Sequence, residues 1–276
     1  MENTASPLSS VAPIAARLPA LFVSHGSPMF ALEAGQTGPA LQQWGQALRA
    51  QFPQLRGVVI LSPHWMTEGV QVMAHPQPPT WHDFGGFPPA LYTLQYPAPG
   101  SPALAQQVQQ LLQAQGMAAG LDVQRPRDHG AWVPLMHLLP QADVPVVQVA
   151  LPHTADARQV YAMGQALRSL RAQGVLVVGS GSMTHNLREF FGGEHATAPY
   201  VQAFSRWVEA QIQAGAVQPL LDWQQHAPEA LRAHPSDEHF LPLYFAMGAS
   251  DAQDTPHYLS REVMYGMLAM DAIAWQ

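Results

Sequence analysis

Four short apolar runs recur along the chain: Ala20 to Val23, Gly57 to Leu61, Val144 to Leu151 and Gly174 to Val178. Each is β-branched or Leu-rich and lacks polar alternation, the pattern of strands buried on both faces of a parallel sheet. Between them apolar positions recur with helical spacing. Leu41, Trp44 and Leu48 mark one helix; Leu104, Val108, Leu111 and Leu112 mark a second, opened by Ser101-Pro102 and closed by Gly116. Val160, Met163, Leu167 and Leu170 mark a third that ends near Gly174, and Val201, Phe204, Val208 and Ile212 a fourth that ends near Gly215. This alternation predicts an α/β fold: a single domain over residues 18–276, with a mostly parallel central sheet and helices on both faces. Residues 1–17, rich in Ala, Ser and Pro, are expected to form a disordered tail.

One segment breaks the rhythm. From His75 to Gly100 there are seven prolines together with Trp81, Phe84, Phe87, Tyr92 and Tyr96. The prolines deny it helix and central-strand structure, and so many aromatics argue against disorder. It reads either as a surface loop pinned by its rings or as a wall over a flat, apolar substrate.

Composition narrows the chemistry. With no cysteine, thiol nucleophiles, disulfides and Cys-held metals are excluded, so any metal must be held by His, Asp or Glu. All 12 cationic side chains are Arg, which removes Schiff-base lysines and a Walker A lysine. The net charge of −7 offers no basic field for nucleic acid. Glu2 stands where a signal peptide carries positive charge, and no run reaches the roughly 18–20 apolar residues of a membrane span; a soluble, cytoplasmic protein is expected.

Histidine is over-represented, with 13 residues, and position makes these informative. His25 follows the first apolar run, His64 the second, and His185 the last through Gly179-Ser180-Gly181. In an open parallel sheet the carboxyl ends of the strands share one rim, where ligands bind, so three imidazoles converge there. A further candidate pair lies in His234-Pro235-Ser236-Asp237-Glu238-His239-Phe240, with Ser236 read as the N-cap of a helix carrying Leu241 to Met247. Five residues apart, His234 and His239 point in different directions on a helix, so one binds and the other supports, with Glu238 a possible carboxylate ligand. His129, in Asp128-His129-Gly130-Ala131-Trp132, is a fifth candidate, and His82 and His153 stand slightly above the remaining histidines. Imidazoles without thiolates suit zinc, iron, copper, nickel or manganese.

Taken together, His25-Gly26-Ser27-Pro28, Ser62-Pro63-His64-Trp65, Asp128 to Leu135, Gly179 to Leu187 and His234 to Phe240 resemble the motifs of DODA-type extradiol aromatic ring-opening dioxygenases. The resemblance runs in order from about Leu18 to the C-terminus. It implies that His25, His64 and His239 bind one divalent metal, iron(II) for activity or zinc as found in relatives. It further implies that His185 is catalytic and a possible fourth ligand, and that His129 is a second catalytic histidine facing the substrate. The implied reaction cleaves a catechol-type, DOPA-like diol with O2 to a muconic semialdehyde. Phe84, Phe87, Trp132 and His234 are the expected substrate contacts. Where many relatives read Tyr-Asp-Phe-Tyr-Gly-Phe-Pro, this chain has His82-Asp83-Phe84-Gly85-Gly86-Phe87-Pro88, which bears on the substrate rather than the reaction. The same imidazole rim would also serve a zinc hydrolase or a non-catalytic metal-binding protein.

Overall fold

The computed structural model describes residues 17–190 and 196–276. The expected tail lies outside these residues except for Arg17, whose guanidinium reaches Asp254 at 3.0 Å and Asp251 at 3.2 Å. His195 also lies outside them.

Among the described residues the strands are β1 (Ala20–Ser24), β2 (Gly57–Thr67), β3 (Val70–Met73), β4 (Ala119–Asp122), β5 (Val146–Pro152), β6 (Val175–Gly181), β7 (Pro256–Met264) and β8 (Leu268–Trp275). The helices are α1 (Thr37–Gln51), α2 (Pro102–Ala114), α3 (His129–Leu138), α4 (Ala157–Leu167), α5 (Leu187–Phe190), α6 (Pro199–Gln213), α7 (Val217–Leu221), α8 (Trp223–His226), α9 (Ala230–Ala233) and α10 (Pro242–Ala249). One sheet takes the order β4-β3-β5-β2-β6-β1-β8-β7. Its middle, β5-β2-β6-β1, is wholly parallel and corresponds to the four apolar runs. The β7–β8 hairpin closes one edge antiparallel to β1, and β3 joins β5 antiparallel on the other side.

Helix boundaries follow local chemistry. Ser101 caps α2 by accepting the Leu104 N–H, with Pro102 at the first position where a missing N–H matters least. Asp156 and Gln159 form a reciprocal capping box on α4. Gly174, at φ +81°, ends the 3₁₀ turn that extends α4 and delivers the chain to β6. One expectation is corrected: the helix after His239 begins at Pro242, not at Ser236. Residues 235–241 form turns in which the Phe240 and Leu241 N–H groups return to the Asp237 carbonyl, and Pro242 starts the helix.

The alternation along β6 sets the geometry above the sheet. A Cβ on Gly179 would lie 1.9 Å from the Pro242 carbonyl oxygen and one on Gly181 2.2 Å from that of His239, so glycine there lets the start of α10 lie directly on the strand. Ser180, between them, faces the opposite side and reaches α3.

Candidate metal centre

His25 leaves β1 with its backbone N–H bonded to the Gly181 carbonyl, which places the ring beside Ser180. The Ser180 hydroxyl donates to the Gly130 carbonyl at 2.5 Å, so it can only accept from His25 Nδ1 at 3.0 Å. That fixes the proton on Nδ1 and leaves His25 Nε2 with a free lone pair.

His64 sits inside β2, which continues beyond the apolar run that ends at Leu61. Pairing of β2 with β6 stops at Leu61, and pairing with β5 shifts register between Leu61 and Met66, so the strand itself is displaced at the histidine. The first turn of α3 presses against it: a Cβ on Gly130 would come within 2.3 Å of Ser62 Oγ and 2.8 Å of His64 Cδ2. Arg125, between the rings of Trp65 and Trp81, donates to the His64 carbonyl at 2.9 Å and to Asp128 Oδ2 at 3.1 Å. Buried Asp128 also accepts from Ser62 Oγ at 2.9 Å and from the Gln148 amide.

His239 lies in the turn before α10, its carbonyl accepting the Ser182 N–H at 2.7 Å. Its Nδ1 donates to Glu238 at 2.9 Å, which again leaves Nε2 free. Ligand atoms of His25, His64 and His239 all fall within 4.8 Å of one another, and the Nε2 atoms of His25 and His64 are 3.1 Å apart. That separation matches adjacent corners of an octahedron with bonds of ~2.1 Å, and can equally be filled by a proton on His64. His185 stacks flat on His239, ring centroids 3.6 Å apart, and is not part of that three-histidine group. His129, on the other flank, lies 4.0 Å from the His64 ring, and its Nδ1 meets Asp83 at 2.9 Å.

Burial, reinforced by the neighbouring imidazoles, holds His25 and His64 far below the ordinary histidine range. The same causes push His185 down to about 2, and burial lowers His239 against the pull of Glu238. Burial works against ionisation of Glu238, yet the hydrogen bonds from His239 and Ser236 bring it down to about 2. Neutral imidazoles, two of them with unprotonated Nε2 atoms and one of these backed by a carboxylate, suit a borderline divalent ion. The residues therefore fit a metal.

The proline-rich segment stands over this rim. Phe84 sets its ring edge-on to His129 at 5.5 Å and to Phe87 at 5.4 Å, which brings the loop's rings beside the histidines. Two of the expected substrate contacts lie in buried surroundings. Trp132 is wholly buried behind Phe84 and His82, its indole donating to the Trp81 carbonyl. His234 is 1% exposed among Phe204, Trp223 and Phe240, with Nε2 donating to the Met183 carbonyl; it belongs to the core beneath the rim. His82 bonds to the Leu94 carbonyl and pins the loop, while His153 is exposed. Asp83, Ser180, Arg125 and Gln148 were not singled out from the sequence. Asp83 stood beside a candidate histidine in a chemically plain loop, and Ser180 read only as a small residue between glycines. A cavity of about 350 Å³ lined by Arg168, Asp251 and Trp275 holds none of the candidate residues.

A histidine rim above a parallel sheet, under an aromatic loop, is the arrangement of an α/β protein with a candidate metal centre. Residues 19–272 match the family described as the catalytic LigB subunit of aromatic ring-opening dioxygenase. The chain is similar to 4,5-DOPA dioxygenase extradiol of Escherichia coli (strain K12), 39% identical over 92% of this chain and 93% of that one. It is also similar to 4,5-DOPA dioxygenase extradiol of Beta vulgaris, 38% identical over 83% and 85%. A crystal structure of an uncharacterised protein from Escherichia coli K12 superposes with a TM-score of 0.79 at 32% identity, covering 94% of this chain and 99% of that one. The chain belongs to the LigB family and, within it, to the DODA-type extradiol dioxygenases: it is a dioxygenase. No helix among the described residues is long and apolar enough to cross a membrane.

Proposed function

We propose that this dioxygenase opens a catechol-type, DOPA-like ring beside the diol, yielding a hydroxymuconic semialdehyde with both atoms of O2 incorporated, at a single iron(II) held by His25, His64 and His239. The observation that carries this reading is the three-histidine group on the rim, with the Nε2 atoms of His25 and His239 left bare by Ser180 and Glu238. When bound, the ion supplies Lewis acidity and a common template for diol and dioxygen. The protein's own groups do the rest. Phe84 and Phe87 offer an apolar wall against which a flat ring can lie. His185 and His129 flank the metal group on opposite sides, stacked on His239 and against His64 respectively, so each can exchange a proton with a bound diol. Burial holds the His185 imidazole in its neutral form. The domain carrying this activity is taken as residues 18–276.

The test is anaerobic reconstitution with iron(II), then oxygen uptake over a panel of catechols. Uptake of one O2 per catechol, with a ring-opened product, is expected. Water-dependent ester or amide cleavage by the zinc form, without oxygen uptake, would replace the proposal with a hydrolase, and metal binding without turnover would make the site non-catalytic.

A further inference from the structure

Asp83 belongs to the proline-rich segment, yet its side chain is only 7% exposed because it is turned onto α3. Oδ1 accepts the backbone N–H of His129 at 2.9 Å and its ring Nδ1–H at 3.0 Å, while Oδ2 accepts the same ring proton at 2.9 Å. The N-cap residue of α3, Asp128, makes no capping hydrogen bond, since its carboxylate is committed to Ser62, Arg125 and Gln148. Asp83 therefore supplies from the loop the acceptor that the helix's own cap does not. Two backbone bonds, Trp81 N–H to Arg127 and Arg127 N–H to Pro79, fasten the loop to the residues just before α3. A carboxylate has no proton to give, so the shared hydrogen resides on Nδ1, and in the neutral ring Nε2 is left bare.

We propose that Asp83 is a positioning residue: it fixes His129 as the Nδ1–H tautomer, making Nε2 the acceptor for a substrate hydroxyl proton, and ties that state to the seating of the proline-rich segment. The diol O–H bond breaks, its proton passes to Nε2, and the imidazolium so formed is held by the Asp83 carboxylate. The proton's source rests on the dioxygenase reading; the tautomer does not.

Asp83→Asn separates these roles. The His129 backbone N–H still demands an oxygen, so the amide oxygen stays there and its NH2 faces Nδ1, driving the ring proton to Nε2 and abolishing the acceptor. Serine proteases show the same effect: asparagine in place of the triad aspartate keeps the geometry and leaves the histidine in the wrong tautomer. Imidazole ¹⁵N NMR on the metal-free protein, at about pH 8, above the ordinary histidine range, and with His129→Gln for assignment, should show Nδ1–H in the wild type and Nε2–H in the variant. Turnover number should fall at least ~10-fold with KM and metal content within about twofold, and Asp83→Glu should restore part of it. Thermal unfolding of both variants separates this loss from misfolding. An Nε2–H tautomer in the wild type, or wild-type turnover in a folded Asp83→Asn, would overturn the proposal. If the wild type cleaves no catechol, the dioxygenase reading fails by itself and the NMR result alone decides the assignment to Asp83.

Discussion

Replacing Glu238 by Gln asks whether the carboxylate beside His239 is a ligand or a support for one. Its Oε1 lies 2.9 Å from His239 Nδ1, and its side chain is 22% exposed. A glutamine oxygen can still accept the Nδ1–H, so the ring orientation survives and only the charge assistance is lost. Changing such a supporting partner typically weakens metal binding ~10–100-fold. Partial exposure puts this site at the lower end, ~10-fold or about 1.4 kcal/mol. His239→Ala removes a ligand outright and should leave metal well below one equivalent. Both variants would be titrated with zinc and with iron(II), anaerobically, against a chromogenic chelator. If Glu238→Gln loses the metal while His239→Ala keeps it, the third ligand is the carboxylate and the histidine is its support.

Phe84→Ala and Phe87→Ala should raise KM for catechols with metal content unchanged, and unaltered kinetics in both would return the loop to a purely structural role. His185→Gln should keep its metal and turn over at least ~10²-fold more slowly; full turnover, measured under saturating catechol and air, would remove His185 from the mechanism. Gly179→Ala should lower stability by about 3 kcal/mol, because its Cβ meets the Pro242 carbonyl at 1.9 Å and α10 must shift; an unchanged urea midpoint would contradict the packing argument. Asp271, away from the metal group, gives a pH test: burial raises its pKa to about 7, with Glu209 adding to the rise and Arg261 opposing it. An unfolded aspartate releases its proton near ~4. Between those values the native state holds more protons than the unfolded chain, so stability falls as pH rises and the full penalty stands above about 7. Asp271→Asn should therefore be more stable than the wild type at about pH 8 and lose that advantage near about pH 4, and an equal advantage at both ends would refute the burial argument.

The parallel centre of the sheet was legible because its strands are buried on both faces and read as unbroken apolar runs. The hairpin β7–β8 was not: β8 is fully buried but carries Asp271, and partly exposed β7 begins at Pro256, so neither gave a clean strand signal. His25 and His185 lie past the ends of β1 and β6, as the apolar runs indicated, whereas His64 lies inside β2, which continues beyond its apolar run to Thr67. The start of α10 was misread because Ser236 is a good capping residue locally, whereas packing of His239 and Pro242 on Gly181 and Gly179 holds the preceding turns out of the helix. Trp132 and His234 looked like substrate contacts from their motifs, but large rings with a polar tip also satisfy themselves on backbone carbonyls in a core, and here both do. Asp83 and Ser180 act on histidines from distant parts of the chain, a relation that spacing cannot carry.

The proposed chemistry stands on one metal held among His25, His64 and His239. Anomalous diffraction at the iron edge, from crystals of the anaerobically reconstituted protein, tests it most directly. A single peak within bonding distance of all three imidazoles is the expected result. A peak instead among His64, Asp83 and His129, or among His185, Glu238 and His239, would contradict it, since each of those groups also brings three ligand atoms together.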